Sequence, residues 1–180
     1  MNMSNADFTA EMTRKFVWYP DEVQAHEKIN GDRRTVYLTV ASPDKGKTIG
    51  AGGQNFFAWS TLVGARGKIH GQEVSLNLVD TPEDERLNTR PFDPDEDWMR
   101  DPELVEVAQW LFSEVFPKAK CSFKITDSHR EHTSNLEVLM HDLRPHNLVA
   151  AAAQRYLRSV AVNMGRKLNV TINVDRAVTC

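Results

Sequence analysis

Cysteine is scarce in this chain. Cys121 and the last residue, Cys180, form no CxxC pair and no spacing pattern of a disulfide framework. A scaffold held together by cross-links is thereby excluded, and a reducing compartment is the simple expectation. Long apolar runs are also missing: nothing approaches the roughly 20 residues that a membrane helix requires, so no membrane partner is expected. The first ten residues show no basic patch followed by an apolar stretch, which leaves no sign of a secretory leader. A cytoplasmic protein is expected, of a bacterium or, were the chain phage-encoded, of a host cell. Nor is there a surplus of positive charge. Lys and Arg number 22 against 25 Asp and Glu, a formal net charge of -3, so any contact with a nucleic acid must rest on a local patch.

What is present suits a globular chain: 180 residues, 41% hydrophobic and 26% charged, enough for one medium domain or two small ones. The acid is concentrated in the middle. Residues 81–100 carry seven Asp and Glu among Pro82, Pro91 and Pro94, a composition that resists regular structure and reads as a linker. Phe92, Trp98 and Met99 argue that this linker is partly pinned, because a fully solvated segment gains nothing from exposing them. The expected division is therefore a domain over 1–80, a linker over 81–100 and a second domain over 101–180.

Each half repeats one order of elements. The first opens with a helical pattern through Phe8, Met12 and Phe16 that Pro20 breaks. Strands over 22–29 and 35–41 flank the turn Asn30-Gly31-Asp32 and so form a hairpin. A helix over 54–63 and a strand over 74–79 close the half. The second half shows a helix from Pro102 through Val107, Leu111 and Val115, stopped at Pro117, and strands over 121–125 and 136–140. A long helix over 144–164, ended by Gly165, leads to an alternating strand over 168–174. The common order read from the residues is α-β-β-α-β, an α+β tandem repeat.

Chemistry concentrates between the hairpin and the second helix of the first half. Gly46, Gly50, Gly52 and Gly53 put four glycines into eight residues, more than packing asks for. Glycine at both ends of a four-residue turn lets the chain reverse sharply, and small residues between leave backbone N–H groups open to a phosphate. The helix that follows adds its positive end. An ordinary helix-to-helix turn is the plain alternative. Two enzyme motifs compete and fail. Gly46-Lys47-Thr48 ends like a P-loop, but Ala41 stands where that loop requires glycine and Pro43 stiffens it. Gly50-Ala51-Gly52 would need its last fingerprint glycine at Asn55, and no long crossover unit follows.

These residues resemble the KH domains, and in particular the small bacterial KH proteins that bind RNA broadly. The resemblance runs over residues 16–80: a Pro-Asp-Glu-Val corner, two strands, Ser-Pro-Asp-Lys-Gly-Lys-Thr-Ile-Gly, the GxxG turn, then Ala58, Thr61, Leu62 and a closing Val-Asp. It implies the prokaryotic order α-β-β-α-α-β. It also implies that about four nucleotides of single-stranded RNA are gripped with the backbone against the turn. Carried over, Gly50, Ala51, Gly52 and Gly53 meet the phosphates, Lys47 and Gln54 flank them, and Ile49 and Phe56 form the apolar floor or the core beneath. Charge alone adds Lys45, Arg66 and Lys68 as a basic rim, against the plain reading of solvated surface. The central turn positions often carry a basic residue in this family; here they are Ala51 and Gly52, so weak, salt-sensitive binding of low specificity is expected. Trp59 and Phe56, three apart, belong to the core, whereas Phe57 points elsewhere. Packing of Phe57 against a partner domain is favoured over stacking on a base.

At the equivalent place the second half has His141-Asp142-Leu143-Arg144-Pro145-His146-Asn147, without a glycine pair. It reads as a degenerate KH-like copy lacking GxxG, suited to packing on the first domain, to pairing with another KH domain or to a homo-oligomer; Arg144, Arg155, Arg158, Arg166 and Lys167 would extend an RNA track. His129, His132, His141 and His146 read as loop histidines rather than a zinc site. No cofactor, metal or catalysis is assigned. The leading expectation is an RNA-binding protein acting on mRNA or structured RNA as chaperone or regulator. The alternative is a KH-like scaffold for protein assembly with RNA incidental, and an NTPase stands a distant third.

Overall fold

A computed structural model of the chain describes residues 3–79, 104–128, 133–141, 145–163 and 167–175. The acidic segment 81–100, Pro102, His129, His132, Arg144, Gly165 and Arg166 lie outside the described residues. Two compact units divide between Arg100 and Asp101. Both are α+β, and each carries a mixed three-stranded sheet.

The first unit begins with α1, Asn5–Arg14. It starts where it does because the Ser4 hydroxyl accepts the Asp7 N–H at 3.0 Å, satisfying one of the amides that a helix start leaves open. The apolar positions Phe8 and Met12, four apart, turn inward and are completely buried. A short 3-10 turn at Pro20–Glu22 leads into β1, Gln24–Asn30, and β2, Arg33–Thr39. Gly31, with φ of 60°, makes the tight reversal between them. After β2 the chain runs α2, Ser42–Ile49; α3, Gln54–Ile69; and β3, Glu73–Leu78. β1 pairs antiparallel with β2, and β2 parallel with β3. A parallel pair cannot be closed by a hairpin, so α2 and α3 together form the crossover.

Register fixes which side of the sheet is dry. In the row Glu27, Val36, Leu76 the apolar pair turns to the helices. In the next row, His26, Tyr37 and Asn77 turn away, with the His26 and Tyr37 rings stacked 5.2 Å apart. Trp59 and Leu62 of α3 complete the core, and the Trp59 ring meets Phe16 edge-on at 5.0 Å. α3 runs beyond the expected end near residue 63, through Gly64 and Gly67, and at Gly67 the sheet comes too close for a larger residue. A Cβ at Gly67 would stand 2.3 Å from Val74 Cγ2, so close helix–sheet packing outweighs the ~1 kcal/mol that glycine costs in a helix.

The segment 42–49, read from its residues as a glycine-rich connection, is the helix α2. Pro43 sits in its first turn, where the missing N–H costs nothing. The order of the first unit is thus α-β-β-α-α-β.

The second unit contains α4, Leu104–Val115; β4, Lys120–Ser128; β5, Thr133–His141; α5, Asn147–Asn163; and β6, Lys167–Asp175. Its pairing repeats that of the first: β4 antiparallel to β5, β5 parallel to β6. Val107, Leu111, Phe112 and Val115 of α4 bury one helix face, and the Phe112 ring meets Phe123 edge-on at 5.6 Å. Among the described residues, α5 is the helix between β5 and β6, burying Ala153, Tyr156, Leu157 and Val160. Among the described residues no helix is long and apolar enough to cross a membrane.

Candidate nucleic-acid interface

The turn between α2 and α3 is built by glycines at the positions that demand them. Gly50 closes α2 by donating its N–H to Gly46 O at 2.9 Å, then turns away with φ of 73°. A Cβ there would lie 2.7 Å from Asn55 Cγ, so both backbone and contact require glycine. Gly52 and Gly53 follow with φ of 61° and 75°, and the Gly53 N–H returns to Gly50 O at 3.1 Å. Asn55 straps the bend from inside, its Nδ2 donating to Lys47 O at 3.0 Å.

Ala51 and Gly52 stand at the tip, both exposed. Among the described residues neither N–H reaches a protein acceptor. α3 begins without a side-chain cap and without an acidic residue in its first turn. Its 16 residues therefore present the positive end of the helix dipole to whatever sits at the tip. Exposed amides and a helix start with no acidic residue in its first turn are the features that suit an anion.

What holds the turn in place was not legible as a site residue. Asp44 of α2 is fully buried, and its two oxygens accept the N–H groups of Trp18 at 2.9 Å and Tyr19 at 3.0 Å. The carboxylate thereby ties the end of α1's connection to the helix that carries the turn. Burial pushes the Asp44 carboxyl above its ordinary value, with the two N–H donors and Lys47 pulling the other way. Lys47, one helical turn later, lies half-buried with Nζ 4.2 Å from the Trp18 ring centroid and 5.2 Å from that of Phe16. Burial lowers its pKa to about 8, against the opposing pull of Asp44.

The remaining expected residues scatter. Gln54 is exposed at the start of α3, and Lys45 is half-buried on α2. Ile49 is exposed at the end of α2 and so is not part of the core, while Phe56 is half-buried. Arg66 does not belong to a basic rim. It is 2% exposed, donates from Nη1 to Asn5 Oδ1 at 2.9 Å and from Nη2 to Met3 O, and lies over the Phe8 ring. Lys68 is exposed but sits in the last turn of α3, roughly 22 Å along the helix from Gly53 at 1.5 Å per residue. The turns of α3 beyond residue 63 carry both positions away from the glycine turn.

In the second unit His146 accepts the Leu148 N–H through Nδ1 at 3.4 Å, and burial raises the pKa of the half-buried Cys121 thiol. Among the described residues no three His, Cys, Asp or Glu side chains converge to hold a metal ion.

No protein-family model matches the chain. Among solved structures, the crystal structure of APE1850 covers 92% of this chain and 98% of that one at 12% identity, with a TM-score of 0.29, too low to equate the two folds. The RNA-binding protein KhpA of Chlamydia caviae is 36% identical over 75 residues, which is 41% of this chain and 95% of that protein. That length is one unit of this chain, not two, and it takes in nearly the whole of the small KH-domain protein. With a mixed α+β sheet and a glycine turn between two crossover helices beside that match, the chain belongs to the KH-like family of RNA-binding protein KhpA.

Proposed function

We propose that the first unit grips single-stranded RNA, mRNA above all, through Gly50, Ala51, Gly52 and Gly53, and works in the cytoplasm as an RNA chaperone or regulator of low sequence specificity. The observation that carries this is the exposed tip itself: two main-chain amides with no acceptor among the described residues, at a helix start without a side-chain cap. Backbone donors address the sugar-phosphate chain and leave sequence unread. The kinship with an RNA-binding protein supports RNA as the polymer. Binding of a labelled single strand to the Ala51→Asp, Gly52→Asp double variant tests the reading.

In this proposal residues 1–80 form the working KH domain, 81–100 an acidic linker and 101–180 a degenerate KH-like copy. The repeated strand pairing supports the tandem reading, and the sequence between β5 and α5 has no GxxG. The second copy then serves pairing, with its partner domain or with another chain. The assembly reading, with RNA incidental, is separated by the same double variant, which would leave oligomer and function untouched.

Lys47 gives this grip a pH dependence. With its pKa lowered to about 8, the ammonium is charged at pH 7 and largely neutral at pH 9, so RNA affinity is expected to fall across that window. A bound phosphodiester favours the charged form, and binding near pH 8 should therefore take up protons. Lys47→Arg, whose guanidinium stays charged, should flatten the profile in a titration of labelled RNA. A wild-type affinity that does not change between pH 7 and 9 would remove Lys47 from the interface.

A further inference from the structure

Phe57 is 66% exposed in α3, one turn beyond Gly53. Helical side chains lean toward the N-terminus of their helix, so this ring leans toward the helix start that carries the Ala51-Gly52 tip. The residues one turn away on its own helix are small or polar. Gln54 is exposed, Ser60 is half-buried, and the half-buried Thr61 donates its hydroxyl to Phe57 O at 2.9 Å. A protein docking surface needs about 800 Å² per partner around an apolar centre, and a lone ring among such neighbours does not supply one. These neighbours favour the other reading of Phe57, stacking on a base, over packing against a partner domain. A flat, apolar face next to an anion-binding turn matches one occupant: the base of the nucleotide whose phosphate the turn holds.

We propose that Phe57 is a stacking platform for a single unpaired nucleobase beside the Ala51-Gly52 tip, so that the turn takes the backbone and the ring takes the base. This rests on the RNA-gripping reading above and adds a base contact to a turn that has none. Every base has a π-face, so the contact is tolerant of sequence, with a modest preference for the larger purines. It also compensates for the missing basic residue in the turn.

The test uses the full chain with a labelled eight-nucleotide single strand, and with the same length of fully abasic backbone. Phe57→Ala should weaken binding of the base-bearing strand by about 5- to 150-fold, Phe57→Trp should restore it, and wild type and Phe57→Ala should bind the abasic strand alike. If Phe57→Ala binds the base-bearing strand as wild type does, while the Asp double variant at 51 and 52 loses it, the stack is refuted and the turn stands. If the double variant is silent, the grip fails and this proposal fails with it. If Phe57→Ala dissolves an oligomer in sedimentation without changing RNA affinity, the ring is a protein contact and the proposal is overturned.

Discussion

The double variant Ala51→Asp, Gly52→Asp is expected to lose single-stranded RNA binding by on the order of 100-fold or more at moderate salt. Two carboxylates would stand where the main-chain amides meet the phosphodiester, replacing an attractive field by a repulsive one within a few ångströms. The fold should survive. Both residues are exposed, and a Cβ at Gly52 meets nothing within 4 Å. The cost is the left-handed backbone at Gly52, with φ of 61°, about 1–2 kcal/mol for a residue other than glycine and less for Asp. Circular dichroism should show a small drop in melting temperature and an unchanged spectrum. Ala51→Lys, of opposite charge, should move the affinity the other way. Full binding by the double variant would mean that the turn is not the grip.

Asp44→Ala is expected to destabilise the first unit by about 3 kcal/mol. The residue is completely buried, and each oxygen holds a main-chain N–H. Hydrogen bonds to a charged acceptor contribute roughly 1.5–3 kcal/mol each, and the change removes both from the part-buried Trp18 and Tyr19 amides. Burial of the charge offsets part of that gain, so the sum falls below twice the single value. Denaturant unfolding of the full chain should show an early transition for the first unit, with that of the second unmoved. RNA affinity should also fall, because the tie from the Trp18-Tyr19 segment to α2 fixes where the turn stands. Asp44→Asn should lie between, retaining one acceptor and placing an NH2 against the other donor. An unchanged transition would show that the carboxylate contributes nothing to holding α2.

The parts of the molecule that the sequence disclosed are those governed by local pattern. The buried stripe Val107, Leu111, Phe112 and Val115 of α4 and the alternation through Val170 in β6 announce helix and strand by their periods. The Asn30-Gly31 turn announces the hairpin. α2 was obscured by its own residues, since Gly46 reads as one of a cluster of turn glycines and Pro43 as a stiff point in a loop, although Pro followed by Asp44 is also the signature of a helix start. The length of α3 was hidden because Gly67 answers to Val74 and the sheet, a contact that no window along the chain displays.

The site divides along the same line. Gly50, Gly52 and Gly53 were legible because positive φ leaves a chemical mark in the sequence. Asp44 and Asn55 were not, since a buried carboxylate bound to Trp18 and Tyr19 N–H groups looks like any loop acid until the fold joins them. Arg66 was misplaced for the converse reason. Its partners, Asn5 and Met3, are more than sixty residues away, and a lone arginine after an apparent helix end resembles surface charge.

Amide chemical shifts during a titration with unlabelled single-stranded RNA bear most directly on an anion held by bare peptide groups. The ¹H–¹⁵N resonances of Ala51 and Gly52 should move furthest, followed by those of Gly50, Gly53 and the first turn of α3, with the outer sheet face around His26 and Tyr37 still. Saturable binding that leaves the Ala51 and Gly52 amides in place while shifting residues elsewhere would contradict it.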